Sequence, residues 1–561
     1  MENLTSLNFP ATFTSLLATK GVSFVPFLER FSSLSFPATF TSLLTTKSVT
    51  LIPLLLISFI IAQFTWSAFK ASRSPLAAIP GPWYAFLTTI HLKYGFATGT
   101  IWKLVERSHK KYGPIVRLGP RQVWISDKEA MKQILSKIDL PKVAMYAEIS
   151  RDRFSPGLFG EIRPVPHKRL KKFLSPAFTV GYIDNLESFF GGTIRDLLNK
   201  YDTSLSKSPQ GNKIMVDLMD DLHNVALDIM GECSFGRGFG QTNPAAEIEQ
   251  GIREKVWKRI PRSIFDGLSK RYQVRHFPTT AKFFRACGIN IEFDWPKEMI
   301  MAIDAVVQRR RTTDDSNRKD LLQHLIDEGK RPDTLTAMNT RDIVDQMSEI
   351  LLAGTETTSG TTACLFLELA RSPDKRAKLL DSLPVLDIGD EIISGKAVRN
   401  DPKYRYLNAC IKEALRMHPI ASEMGRRTGD QWVRLMGYNL PPHTVVSASY
   451  RDLHRNEEYF PKAMTFLPER FLEESERGDV PAADMDAYFP FSAGSHSCIG
   501  INFAWAEMRM IAANIFSRFD VVEVSGQDID FRQFITMQFA SGHWKAVLIP
   551  RKKASTIDQP E

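Results

Sequence analysis

The chain has 561 residues, 43% of them hydrophobic and 11% aromatic, a composition that supports a large buried core and excludes wholesale disorder. Its length exceeds one ordinary domain, so it holds either two or three domains or one large domain with an extension. The formal charge of +9 is a modest excess for this length, and no Lys/Arg block is long enough to favour nucleic acid.

Residues 1–48 form an extension with a tandem repeat: SLNFPATFTSLLATKGV from Ser6 to Val22 recurs as SLSFPATFTSLLTTKSV from Ser33 to Val49. Two copies are too few for a solenoid. Asn3-Leu4-Thr5 is a short glycosylation sequon of a kind common by chance. Val49 to Trp66 carries no charge over 18 residues, close to the roughly 20 apolar residues that a spanning helix needs. It is expected to be a single-pass anchor. Lys70 and Arg73 beyond it favour a cytoplasmic C-terminal side. The Pro/Gly-rich stretch 74–83 reads as a hinge.

Ile115–Gly119 and Val123–Ser126 read as two short strands around Gly119-Pro120. From there to Arg426 the pattern is mostly helical. His167 to Phe178 (HKRLKKFLSPAF) is a basic helix, which alone reads as a solvated face. Ile343, Met347, Ile350, Gly354 and Thr357 recur at steps of three and four, placing them on one helix face. Gly354 thins that face and leaves room beside it. Glu356 and Thr357 bring a carboxylate and a hydroxyl into an otherwise apolar helix. Glu413 and Arg416 (EALR) share a helix face and can pair. FLPERF supplies Arg470 further on. Strands are expected on both sides of Leu440-Pro441-Pro442, and a terminal hairpin around Gly542 within 535–549. The body, 84–550, is expected to be one mainly α domain with small sheets, ending in a tail at 551–561.

Five cysteines occur: Cys233, Cys287, Cys364, Cys410 and Cys498. They are scattered, which argues against a disulfide framework or a zinc cluster. Cys498 differs from the rest. Phe491 to Gly500 reads FSAGSHSCIG, a tight glycine loop feeding a helix start, where N–H groups and the helix dipole favour an anionic sulfur. Taken alone, such a loop is more readily just a helix cap.

The ordered set AGTETT, EALR, FLPERF and FSAGSHSCIG resembles the cytochrome P450 family, over about 79–549. The resemblance implies the cytochrome P450 fold and haem B with Cys498 as axial ligand. Phe491, Gly494 and Gly500 match the family's cysteine loop. His496 stands where membrane-bound members usually carry Arg. It implies that Glu356 and Thr357, beside Gly354, manage protons for dioxygen. It implies that Glu413, Arg416 and Arg470 form a buried charge network. Haem propionates are expected at His496, at Arg426 with Arg427 as the alternative, and at His167 and Lys171. Those last two stand where the family has Trp and Arg. The same basic helix could dock an acidic electron-donor protein. The activity implied is insertion of one atom of dioxygen into a small apolar organic substrate. Electrons come from NADPH through a flavoprotein, cytochrome P450 reductase. The place implied is the endoplasmic reticulum membrane, with the catalytic domain cytosolic and a part in secondary metabolism. Two rivals remain: an isomerase or dehydratase of the same family that needs no dioxygen, which the intact AGTETT opposes, and a non-enzymatic haem- or lipid-binding membrane protein.

Overall fold

The computed structural model describes residues 46–148, 150, 156–209, 212–243, 278–288, 297–312 and 318–552. The tandem repeat and Asn3 lie outside them. So does most of the segment 244–296. Two compact units divide at Lys70–Ala71.

The uncharged run 49–66 falls within one helix, α1 (Thr46–Ser72). Among the described residues no helix is long and apolar enough to cross a membrane. The side chains of 46–56 lie outside the described set.

The second unit is helical with small sheets. Its start, read above as a hinge, is docked rather than free. Leu76 and Ile79 are buried beneath the mixed sheet. Pro80 accepts from the Arg117 amide at 2.8 Å. A Cβ on Gly81 would lie 2.2 Å from the Arg117 carbonyl oxygen, so only glycine lets the two backbones approach this closely. The sheet pairs Ile115–Gly119 with Gln122–Ile125 antiparallel, then Val445–Ser449 parallel, then Glu423–Arg427 antiparallel.

The helices that frame the site are α2 (Pro164–Leu174), α3 (Leu218–Phe235), α4 (Thr340–Arg371), α5 (Arg405–Met417) and α6 (Ile501–Arg518). The 32-residue α4 starts with a reciprocal cap. The Asn339 amide donates to Asp342, and the Asp342 amide to Asn339, both at 3.0 Å. It runs through the largest hydrophobic cluster, against α3, α5 and α6. Most of it is buried on more than one face, so polar residues at fixed positions along it stand out.

Two strand readings change. Ile214–Asp217, within a region read as helical, pairs with Lys545–Pro550. No hairpin closes around Gly542. Met537–Phe539 pairs back to Phe531–Gln533, while Lys545–Pro550 joins Phe519–Glu523 and Ile214–Asp217. Gly542 makes the turn between two different sheets, with φ +74. Alternating apolar residues on both sides of a turn cannot reveal which strand each side pairs with.

Candidate active site

Cys498 sits at the end of a loop that glycine makes possible. Gly494 has φ +72, and a Cβ there would meet the Leu135 carbonyl oxygen at 1.9 Å. The Cys498 amide donates to Phe491 O at 2.9 Å, closing the loop, and α6 begins three residues on. Cys233, Cys364 and Cys410 are buried, whereas Cys498 is exposed. Its thiol pKa is still raised, first by desolvation, against the Gly500 N–H and the Lys171 charge, which favour the thiolate. The cysteine is thus accessible yet closely surrounded by protein. Lys171, on α2, spends its three donors on this loop: Ser495 O and Ser497 O at 2.8 Å and Ser497 Oγ at 3.0 Å. In place of the expected propionate contact, it braces the cysteine loop.

Beneath the loop, Glu413, Arg416 and Arg470 come together as expected. Glu413 takes Arg416 Nε and Nη2 at 2.8 Å each, Arg470 Nε at 3.1 Å and the Leu467 amide at 2.9 Å. Arg416 Nη1 also donates to His454 O at 2.7 Å, and Arg470 Nη1 to Pro461 O at 2.9 Å. The two ion-pair side chains of Glu413 and Arg416 are fully buried. The carboxylate therefore fixes α5, the FLPERF turn and, through His454, the Phe489 amide that leads into the cysteine loop.

A second buried basic group is the opposite case. Arg426 is wholly buried, and its Nε, Nη1 and Nη2 have no hydrogen-bond partner. Arg427, the alternative, is exposed. His496 Nδ1 is likewise buried and unpartnered. The rings of His167 and His496 lie 4.3 Å apart. Both imidazoles are held neutral. Burial first, then the charges of Lys142, Lys171 and Arg426, push His167 down to about 2 and His496 to about 3. Lys142, which sequence reasoning missed, is depressed by burial to about 7 and donates to Leu158 O and Phe159 O at 2.9 Å. A buried guanidinium with every nitrogen unpaired is costly unless an anion completes it. Arg426, His496 and His167 thus fit the carboxylates of a haem.

On α4, Ala353 is exposed and Glu356 and Thr357 half-buried, although Leu351 and Thr355 on either side are buried. This stretch is therefore accessible although the helix runs through the core. The space beside Gly354 is filled: a Cβ there would strike Met230 Sδ of α3 at 2.6 Å. The glycine's room therefore seats α3 rather than a ligand. Glu356 and Thr357 are adjacent but engaged apart. Thr357 Oγ1 donates to Ala353 O at 2.7 Å, and Glu356 Oε2 accepts from Thr536 Oγ1 at 2.9 Å. Burial raises the Glu356 pKa, against the donors Gln538 and Thr536 and the charge of Arg532.

Two turns earlier on the same helix, Glu349 takes the amides of Gly157 (3.2 Å), Phe159 (2.8 Å) and Gly160 (3.1 Å) and the Ser150 hydroxyl. It pins the segment 156–161 to α4. A second Glu at i−7 from Glu356, in the apolar run SEILLAG, was the available signal. Thr536 and Gln538 left no signal, because only tertiary pairing brings them to α4.

Comparison with known proteins agrees with this geometry. The family model described as Cytochrome P450 matches residues 78–544. A cytochrome P450 monooxygenase of Aspergillus aculeatus, acrD, is 29% identical over 89% of this chain and 95% of its own. A cytochrome P450 monooxygenase of Fusarium, LUC2, is 27% identical over 84% of this chain and 88% of its own. Among solved structures, the haem domain of cytochrome P450DA superposes with a TM-score of 0.67 at 19% identity, covering 84% of this chain and 98% of that one, a likeness of fold.

Proposed function

The chain belongs to the cytochrome P450 family, a haem-thiolate monooxygenase with an organic substrate, and from that premise we propose that Cys498 is its iron ligand and that Arg426, His496 and His167 receive the haem propionates. The observation that carries the assignment is Arg426, wholly buried with every guanidinium nitrogen unpaired. A haem held by these residues would supply the activation of dioxygen, with one oxygen atom going to the substrate and the other to water.

The residues divide the remaining work. The Gly500 N–H and the Lys171 charge favour the Cys498 sulfur as thiolate. Phe491, Gly494 and Gly500 shape the loop around it, and the Glu413 network fixes its underside. The Glu356 carboxyl, whose Oε2 accepts from Thr536, holds a proton, and the neighbouring Thr357 hydroxyl relays it toward the reacting oxygen. Gly354 serves indirectly, by letting α3 close on α4.

Electrons are supplied from NADPH by cytochrome P450 reductase, whose acidic face meets the exposed lysines Lys168 and Lys172 of α2. The uncharged run 49–66 anchors the chain in the endoplasmic reticulum membrane, with the catalytic unit in the cytosol. The support is its lack of charge and the basic residues after it. The substrate is small and apolar and belongs to secondary metabolism; the relatives named above are fungal monooxygenases.

The test is turnover by the full-length enzyme with reductase and NADPH under labelled dioxygen, using compounds chosen because they shift the haem band. One labelled atom per product, with NADPH consumed, supports the reading. Product formed without NADPH or label would replace it with an oxygen-independent rearrangement.

A further inference from the structure

Glu356 is the acid of the proposed proton path, yet its carboxylate does not lean on its own helix. It reaches across to the hairpin of Phe531–Gln533 and Met537–Phe539. Thr536, beside the hairpin's tip, donates to Glu356 Oε2 at 2.9 Å. Thr536 Oγ1 accepts in turn from Gln538 Nε2 at 3.4 Å. Gln538 stands directly opposite Arg532 in the strand register, and Arg532 is exposed. The Thr536 hydroxyl and the Gln538 amide thus form a short polar chain behind the carboxylate, and the exposed Arg532 stands on the neighbouring strand.

The hairpin is itself held in place. The Gln533 amide donates to Gly99 O and the Met537 amide to Ile420 O, both at 2.8 Å. Thr536 therefore keeps a fixed position relative to α4. The neighbouring hydroxyl on α4 is not aimed at the carboxylate: Thr357 Oγ1 is turned back to Ala353 O. Arg532 is the charged side chain that acts on Glu356 from the hairpin.

We infer that Thr536 and Gln538 are positioning residues that set the acid strength of Glu356, so that this C-terminal hairpin controls how readily a proton passes to Thr357. The inference rests on Glu356 being the acid. The physical reason is general. Donors to a carboxylate favour its charged form and make the acid stronger, and an acid matched to its task transfers its proton faster. Deprived of the Thr536 hydroxyl, or of the Gln538 amide that supports it, Glu356 in its desolvated site holds its proton too tightly.

The experiment uses the full-length haem enzyme with reductase and compares wild type with Glu356→Gln, Thr536→Val, Thr536→Ser and Gln538→Leu. The first readout is an infrared titration of the Glu356 carboxyl band, assigned by its loss in Glu356→Gln. The second is the share of NADPH electrons released as hydrogen peroxide with no substrate added. Thr536→Val is expected to move the titration midpoint up by about one pH unit, and Gln538→Leu to move it the same way by less. Both variants raise the peroxide share. Thr536→Ser, which keeps the hydroxyl, restores both values. An unmoved midpoint and peroxide share in Thr536→Val, with peroxide raised in Glu356→Gln, overturns the inference and leaves Glu356 as the acid. An unchanged peroxide share in Glu356→Gln overturns both. Should Thr536→Val fail to retain haem, Gln538→Leu decides between the same outcomes through the same two readouts.

Discussion

Two buried basic clusters lie in this fold, and they are built in opposite ways. Around Glu413 every charge is answered: two arginines, a backbone amide and three carbonyls close the set. Around Arg426 nothing answers: three guanidinium nitrogens and a His496 nitrogen end without partners. By residue type alone both clusters are arginines in helical or strand context, and only the family resemblance separated them. The difference teaches that a buried charge which is satisfied is holding the protein together, whereas one left open is holding a place for something else.

The largest effect expected from that contrast is at Glu413. Glu413→Ala leaves two arginines buried without their partner and should cost about 3–5 kcal/mol, read by chemical denaturation. A loss under ~1 kcal/mol would break the contrast. Arg426→Leu should do the reverse in the haem-free protein, whose stability holds or rises because an unpaired buried charge has gone. Haem affinity, measured by transfer to apomyoglobin, should then fall about tenfold to a hundredfold. Equal damage from both substitutions to the haem-free fold would erase the distinction.

A smaller, pH-dependent effect sharpens the satisfied side. His454 accepts the Phe489 amide at 2.9 Å, and burial pushes its pKa down to about 3. The folded protein therefore leaves it neutral where the unfolded chain, near pH 6.5 and below, takes up a proton. Its contribution to stability is full above about pH 6.5 and is lost as pH falls toward 3. The margin of wild type over His454→Gln should narrow between pH 7 and pH 5. Asp452, whose pKa burial raises to about 7, titrates with the opposite sign but is common to both proteins. A margin flat with pH would contradict a neutral buried His454. The smallest effect is at the surface. Lys110→Gln removes an exposed i,i+4 pair with Glu106 and should change stability by under ~0.5 kcal/mol.

Much of this was legible in the chain. The central helix showed itself through the spacing of Ile343, Met347, Ile350, Gly354 and Thr357, and the motif order carried the family. Cys498 stood apart from the other four cysteines because of its glycines, and the fold requires Gly494 at a left-handed φ. What stayed hidden depends on long-range pairing. The two sides of Gly542 join different sheets, Met230 fills the space beside Gly354, and Thr536 meets Glu356 across 180 residues. Lys171 was misjudged for a related reason. A lysine on a basic helix has no direction in sequence, and here the carbonyls of the cysteine loop had already taken its three donors.

The most direct test is the absorption spectrum of the purified, reduced protein with carbon monoxide, recorded for wild type and Cys498→Ala. A red-shifted, thiolate-type Soret band in wild type, lost in the variant, is the result predicted. A well-folded wild type with no haem band, or a variant that keeps the thiolate-type band, would contradict Cys498 as the ligand.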